Sequence, residues 1–321
     1  MRAYVIRRLL LIIPTLFLVS VIVFVAMRIM PGDIVDLIIS VRAPSGETDV
    51  VALREQIRTE LELDKPIYVQ YGNWVGRILV HGNFGDSYWS NKPVMENISS
   101  ALPVSIELGI FAVIIGLLIA IPVGIYSAIR QDTVGDYLGR SFAIFCIAVP
   151  GFWLAIMVMI FPSAYWGWSP PMQYVSFLDN LAGNLRIMAI PAVILGMGMS
   201  GTTMRMTRTM MLEVLRQDYV RTAWSKGLKE RTVILRHAVK NALIPIVTLV
   251  GMQLPILVGG AVIFEQIFNL PGVGRLMLAA LFNRDYPTVS AINVLVAVFV
   301  LMINLVVDMI YAYLDPRIRY R

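Results

Sequence analysis

The chain has 321 residues, 58% hydrophobic and only 15% charged, with a formal net charge of +6 and one cysteine. Soluble proteins carry roughly 45–50% apolar and about 25% charged residues, so these charges are too few to cover a water-facing surface. With a mean hydropathy of +0.73, the composition excludes a soluble two-domain protein, a disordered chain, a collagen and a disulfide scaffold. It argues against a nucleic-acid binder and points to an all-α, polytopic membrane protein.

In chain order, the first uncharged stretch is Leu9–Met27, close to the ~20 residues that a membrane-crossing helix needs. It follows a basic start. It exceeds the 7–15-residue core of a signal peptide and no A-x-A site follows, so residues 1–30 read as a retained signal anchor.

Residues 31–100 then form the one sizeable segment expected in water on the far side. They are acidic, with ten Asp and Glu against six Lys and Arg. Apolar residues recur among charged ones over Asp49–Leu63, which predicts an amphipathic helix. Asp64-Lys65-Pro66 closes it, because the residue before proline avoids helical geometry. A second helix is expected over Tyr68–Val80, then a tight loop at Gly82-Asn83-Phe84-Gly85-Asp86-Ser87. This insertion is either a solvated cap or a docking surface for a delivery protein. Asn97-Ile98-Ser99 fits a three-residue glycosylation pattern that carries no weight alone.

Residues 101–321 supply five more spans: Leu108–Ile129, Ser141–Tyr165, Ile187–Met204, Asn241–Phe264 and Tyr286–Val307. Six spans place 1–8, 130–140, 205–240 and 308–321 on one side, with 17 Lys and Arg. The two short loops opposite carry three. The basic side is cytoplasmic, so both termini are expected inside. Cys146 sits within the third span as a packing residue.

No phosphate-cradling G-x-x-x-x-G-K-[ST], H-E-x-x-H, G-x-S-x-G or cysteine cluster occurs, so neither catalysis nor a bound metal has a seat in this chain. His81 and His237 lie on opposite sides of the membrane. The chain reads as a conduit. Glu107 and Asp308 are charges near span ends, and Gln253, Asn293 and Asn304 are polar residues deeper in. Each serves either as a helix-packing bond or as part of a translocation pathway, for which Glu107, Gln253 and Asn293 are the candidates. The few intramembrane acids and the lack of an internal repeat disfavour a secondary carrier, the alternative from another class.

The loop 205–240 is dense in charge yet patterned. Glu213–Ser225 reads as one helix, Lys226-Gly227 as a break, and Leu228–Val239 as a second short amphipathic helix. Such a helix–Gly–helix unit suits either a groove on a partner or a layer of anionic headgroups.

Asp218-Tyr219-Val220-Arg221-Thr222-Ala223-Trp224-Ser225-Lys226-Gly227-Leu228, followed by Arg236-His237-Ala238-Val239-Lys240-Asn241-Ala242-Leu243-Ile244-Pro245, resembles the inner-loop signature of ATP-binding-cassette importer permeases, in their dipeptide, oligopeptide and nickel branch. Arg221, Thr222, His237, Val239 and Lys240 depart from the general superfamily pattern and resemble the branch's own. Met30-Pro31-Gly32-Asp33, Leu63-Asp64-Lys65-Pro66, Phe264-Glu265, Pro271-Gly272-Val273-Gly274, Arg284-Asp285-Tyr286-Pro287 and Leu314-Asp315-Pro316-Arg317 also match, in order along nearly the whole chain.

The resemblance implies a permease of a bacterial or archaeal plasma membrane. It would pair with a second homologous permease, two cytoplasmic ATPases that bind ATP and magnesium, and an extracytoplasmic solute-binding protein. Asp218, Arg221, Thr222, Ala223, Lys226, Gly227 and Leu228 are then the expected ATPase-coupling residues. The helix after Gly227 would be the lever, and Gly227→Asp would uncouple ATP hydrolysis from uptake. Peptides are the expected cargo, with nickel or another small solute the alternative.

Overall fold

The computed structural model describes residues 2–29, 35–36, 38–39, 50–60 and 62–314. The resemblance segments at 30–33 and 315–317 lie outside them. Among the described residues the helices are joined by turns and loops, and the one β-type pairing is an isolated antiparallel bridge, Asp86 with Pro93. Five helices are long and apolar enough to cross a membrane, or six if one bent pair counts as a span.

The helices are α1 (Arg2–Ile29), α2 (Val50–Glu60), α3 (Ile67–His81), α4 (Val94–Ile129), α5 (Val134–Ala148), α6 (Gly151–Trp166), α7 (Leu181–Leu215), α8 (Asp218–Ser225), α9 (Lys240–Ile267), α10 (Val273–Phe282) and α11 (Tyr286–Leu314). A short turn at Glu230–Thr232 and a π-helical stretch, Val233–Val239, lead directly into α9.

Three expectations need correction. The third span is not continuous: α5 and α6 meet at 91°. Pro150 lacks an N–H to continue the ladder, and Val149 before it takes extended geometry at φ −88° and ψ 121°. The helix expected over Glu213–Ser225 is two, since α7 runs on to Leu215 and α8 starts at Asp218. The helix expected over Leu228–Val239 is the entry to α9 rather than a separate element. At 35 residues, α7 is about 50 Å long and outruns a ~30 Å hydrocarbon core, so part of it projects beyond that core.

Two compact units are distinguished. One comprises Val104–Gly274 with Met1–Val5 and Met302–Arg321. Its core joins Val104, Leu108 and Ala112 of α4, Ala155 of α6, Ile187, Met188, Ala192, Leu195 and Met199 of α7, and Ala261 and Phe264 of α9. Helices pack in lipid largely through close backbone approach, which small residues permit. Along α4 the small residues Ala112, Gly116, Ala120 and Gly124 recur every four positions and meet α7. A Cβ on Gly196 would come within 2.6 Å of the Ala112 carbonyl oxygen, and one on Gly124 within 2.6 Å of Thr207 Cβ.

The other unit comprises Ile6–Pro103 and Arg275–Leu301. In it α3 lies against α1: Ser20 shares a 2.8 Å hydrogen bond with the Tyr71 hydroxyl, Arg28 donates to Gln70, and the Phe24 ring packs on Tyr71 and Trp74. Val35, Ile38 and Ile57 form a small core with Leu53, Leu63 and Tyr88 around them.

Candidate coupling surface and pathway residues

Helix α8 has two unlike faces. Val220 and Ala223, three residues apart, are buried against Val233 and are flanked by Val214 and Leu215. This seats the helix on the last turn of α7 and on the π-helical entry to α9. Asn241 Nδ2 donates to the Tyr219 hydroxyl at 2.9 Å, a further tie to α9. Outward, Asp218, Tyr219, Arg221, Thr222, Trp224 and every residue from Ser225 to Arg231 are exposed.

Within α8 the Thr222 hydroxyl donates to the Asp218 carbonyl, and Arg221 stands 3.7 Å from the Asp218 carboxylate. Both charges are open to solvent, where such a pair adds at most about 1 kcal/mol. Their chemistry therefore remains available to a partner. The helix ends with the Lys226 N–H on Thr222 O and the Gly227 N–H on Trp224 O. Gly227 has φ +74°, the left-handed geometry that glycine adopts freely at this position. A Cβ there would meet nothing within 4 Å, so the glycine is required by backbone angle and not by space. Of the seven expected coupling residues, Ala223 alone faces inward. The other six stand together on the exposed surface.

On α5, the helix after the α4 corner, Asp136 is fully buried and receives Arg208 Nε at 2.8 Å and Nη2 at 2.7 Å. The Ser127 hydroxyl and the Asp132 N–H also donate to it. The corner between α4 and α5 is thereby clamped to α7. Sequence reasoning missed this pair. Thr133-x-x-Asp136, a capping pattern at the start of a helix, was the available signal.

Each of the three pathway candidates has its own hydrogen-bond partner. Glu107 Oε2 accepts from the Tyr174 hydroxyl at 3.1 Å, Gln253 Nε2 donates to Thr202 Oγ1 at 3.1 Å, and Asn293 Nδ2 donates to its own helix at Val289 O. Burial and then the neighbouring Glu107 charge push the Tyr174 phenol up to about 12, so it remains a donor. Glu107 Oε1 and Gln253 Oε1 are buried without a hydrogen-bond partner. Glu265, which sequence reasoning did not single out, is a fully buried carboxylate. The Ser105 hydroxyl donates to it at 2.6 Å and accepts the Val273 N–H at 2.8 Å. A side chain at Gly272 would collide with that carboxylate, which joins the Phe264-Glu265 and Pro271-Gly272-Val273 segments in one arrangement. Among the described residues no group of three or more His, Cys, Asp and Glu could hold a metal ion.

Residues 120–320 match the family described as "Binding-protein-dependent transport system inner membrane component", and residues 1–109 match its N-terminal companion. The chain belongs to that family. It is a multi-pass permease subunit of the ATP-binding-cassette importer class, which works with a binding protein and ATPase partners.

The permease is 39% identical over 325 residues to the oligopeptide transport system permease protein AppB of Bacillus subtilis (strain 168), covering 100% of both chains. It is 37% identical over 318 residues to the glutathione transport system permease protein GsiC of Salmonella typhimurium (strain LT2), covering 99% of each. Its fold is similar to that of a chain in the inward-facing MetNI methionine ABC transporter, with a TM-score of 0.56 and 15% identity over 69% of the permease and 97% of that chain.

Proposed function

We propose that this permease forms half of a membrane pathway for short peptides, imported with ATP hydrolysed by separate subunits. Support for the cargo comes from the full-length similarity to AppB and GsiC, whose names specify oligopeptides and glutathione. A second, similar permease supplies the other half. The extracytoplasmic binding protein delivers the peptide, and the basic side with both termini is cytoplasmic.

One observation carries the coupling reading: α8 is buried on Val220 and Ala223 against both α7 and the entry to α9, while Tyr219 and Trp224 stand each 43% exposed beside exposed charges. Half-exposed aromatics ringed by Asp218, Arg221 and Lys226 suit a groove on a folded partner. An ATPase that shifts α8 pushes on two spans at once. This assigns the lever to α8 with its two supports, in place of a helix after Gly227. Glu107, Gln253 and Asn293 are retained as pathway residues. The unpaired oxygens of the first two are acceptors that a peptide ammonium or amide can use.

The test is reconstitution with the co-encoded permease, ATPases and binding protein in vesicles, with uptake of labelled di- to pentapeptides and of nickel measured with and without ATP. ATP-dependent peptide uptake is expected. ATP-dependent uptake of nickel alone would overturn the cargo, and peptide uptake that ignores ATP would overturn the coupling.

A further inference from the structure

We infer that α3 is a lipid-embedded helix, seated in the leaflet at the C-terminal end of α1 with its free apolar stripe on acyl chains. The insertion after the first span is then partly membrane, not wholly aqueous. The inference rests on α1 being a span and on nothing about cargo or coupling.

Depth is the first argument. Arg28 marks the end of the apolar run of α1, and Phe17 lies eleven residues deeper, a rise of about 16 Å. One leaflet of hydrocarbon is about 15 Å thick. Tyr71 touches Phe17, Ser20 and Phe24, so its ring lies alongside the membrane-buried half of α1. Trp74 also packs on Phe24, with its ring centroid 5.7 Å away. Arg28 donates to Gln70 and stacks on Phe24, as expected of a charge held at the leaflet boundary.

The sectors of α3 are the second argument. Gln70, Tyr71 and Trp74 face α1. A separate stripe, Tyr68, Gly72, Val75 and Leu79, follows helical spacing roughly 120° away, and its ends are 74% and 79% exposed. Arg77 is the single Asp, Glu, Lys or Arg among the 15 residues of α3. It lies on the opposite side, near Asn73, which donates to Glu62 at 2.6 Å. An apolar face with a polar face opposite is the pattern of a helix at a membrane boundary.

Continuity decides the occupant. Along the same stretch that packs on α3, α1 leaves Phe17, Leu18 and Ile22 more than half exposed, and a span presents such residues to lipid. A soluble delivery protein does not reach that depth.

The experiment uses the assembled transporter in nanodiscs. Single cysteines at Tyr68 and Leu79, with Arg77 as the opposite-face control, carry a nitroxide in a Cys146→Ala background. Collision with oxygen, which concentrates in acyl chains, is compared with collision with a water-soluble nickel chelate. Oxygen should exceed nickel several-fold at 68 and 79, and the order should reverse at 77. Higher nickel collision at 68 and 79 would overturn the inference in favour of a water-facing surface. Shielding from both reagents would overturn it in favour of another subunit. Gly72 and Val75, on the same stripe, give the reading if a labelled variant fails to fold.

Discussion

The carboxylate of Asp136 and the guanidinium of Arg208, 72 positions apart, meet in a two-pronged ion pair at 2.7 and 2.8 Å. Asp136 is fully buried and the Arg208 side chain is 20% exposed. Removing one member strands the other charge, at about 3–5 kcal/mol, whereas removing both leaves only lost packing. Arg208→Ala should therefore lower the detergent melting temperature more than Asp136→Ala with Arg208→Ala does. A double variant no better than the single would show that the pair does not clamp α5 to α7.

Gly196 and Gly198 are two residues apart on α7 and should respond oppositely to the same change. A Cβ at 196 meets the Ala112 carbonyl oxygen at 2.6 Å, and one at 198 meets nothing within 4 Å. Gly196→Ala should destabilise by about 1–3 kcal/mol, the usual range for overpacking. Gly198→Ala should be neutral or slightly stabilising. Thermal unfolding followed by monodisperse recovery on size exclusion separates them.

At Gly227 the backbone angle, not space, makes the demand. Gly227→Val places a β-branched side chain at φ +74° and should uncouple ATP hydrolysis from uptake, as should Gly227→Asp to a smaller degree. Gly227→Asn, whose side chain tolerates left-handed geometry, should stay closest to the parent. ATPase activity and uptake measured on the same vesicles give the ratio. Equal coupling in all three would remove any role for the angle.

Trp224→Ala alters the exposed side of α8 and should weaken ATPase co-purification at least tenfold while leaving the melting temperature within about 2 °C. Ala223→Leu alters the buried side, where overpacking costs about 1–3 kcal/mol, and should lower the melting temperature itself. A Trp224→Ala protein that retains its ATPases would place the contact elsewhere.

Asp285 accepts from the Ser87 hydroxyl, the Tyr88 N–H and the Thr288 hydroxyl at 2.6, 3.0 and 2.7 Å. Asp285→Ala strands these donors, at about 1–3 kcal/mol for each that stays buried. The loop over residues 82–93 should become a site of limited proteolysis while α4 stays protected. Unchanged resistance would show that the loop is held without the carboxylate.

Much of this was legible in one dimension. Transfer into lipid depends on apolar length, so the stretches at Leu9–Met27, Leu108–Ile129 and Tyr286–Val307 fall inside helices the structure contains. The break at Gly227 and the cluster of exposed coupling residues around it were legible because glycine and local charge act locally. The bend at Pro150 falls inside the uncharged run Ser141–Tyr165, where apolar length alone gives no sign that the helix breaks.

What the sequence by itself determined was the solvent: a chain this apolar must live in a bilayer, with its basic loop between the fourth and fifth spans. Tertiary structure alone decided which polar groups are paired and which helix lies against which. Asp136 needs Arg208, Glu265 needs Ser105, and α3 takes its depth from Tyr71 on Phe17. Such pairings arise between side chains many residues apart, once packing has removed water and left buried donors and acceptors to find partners within the protein.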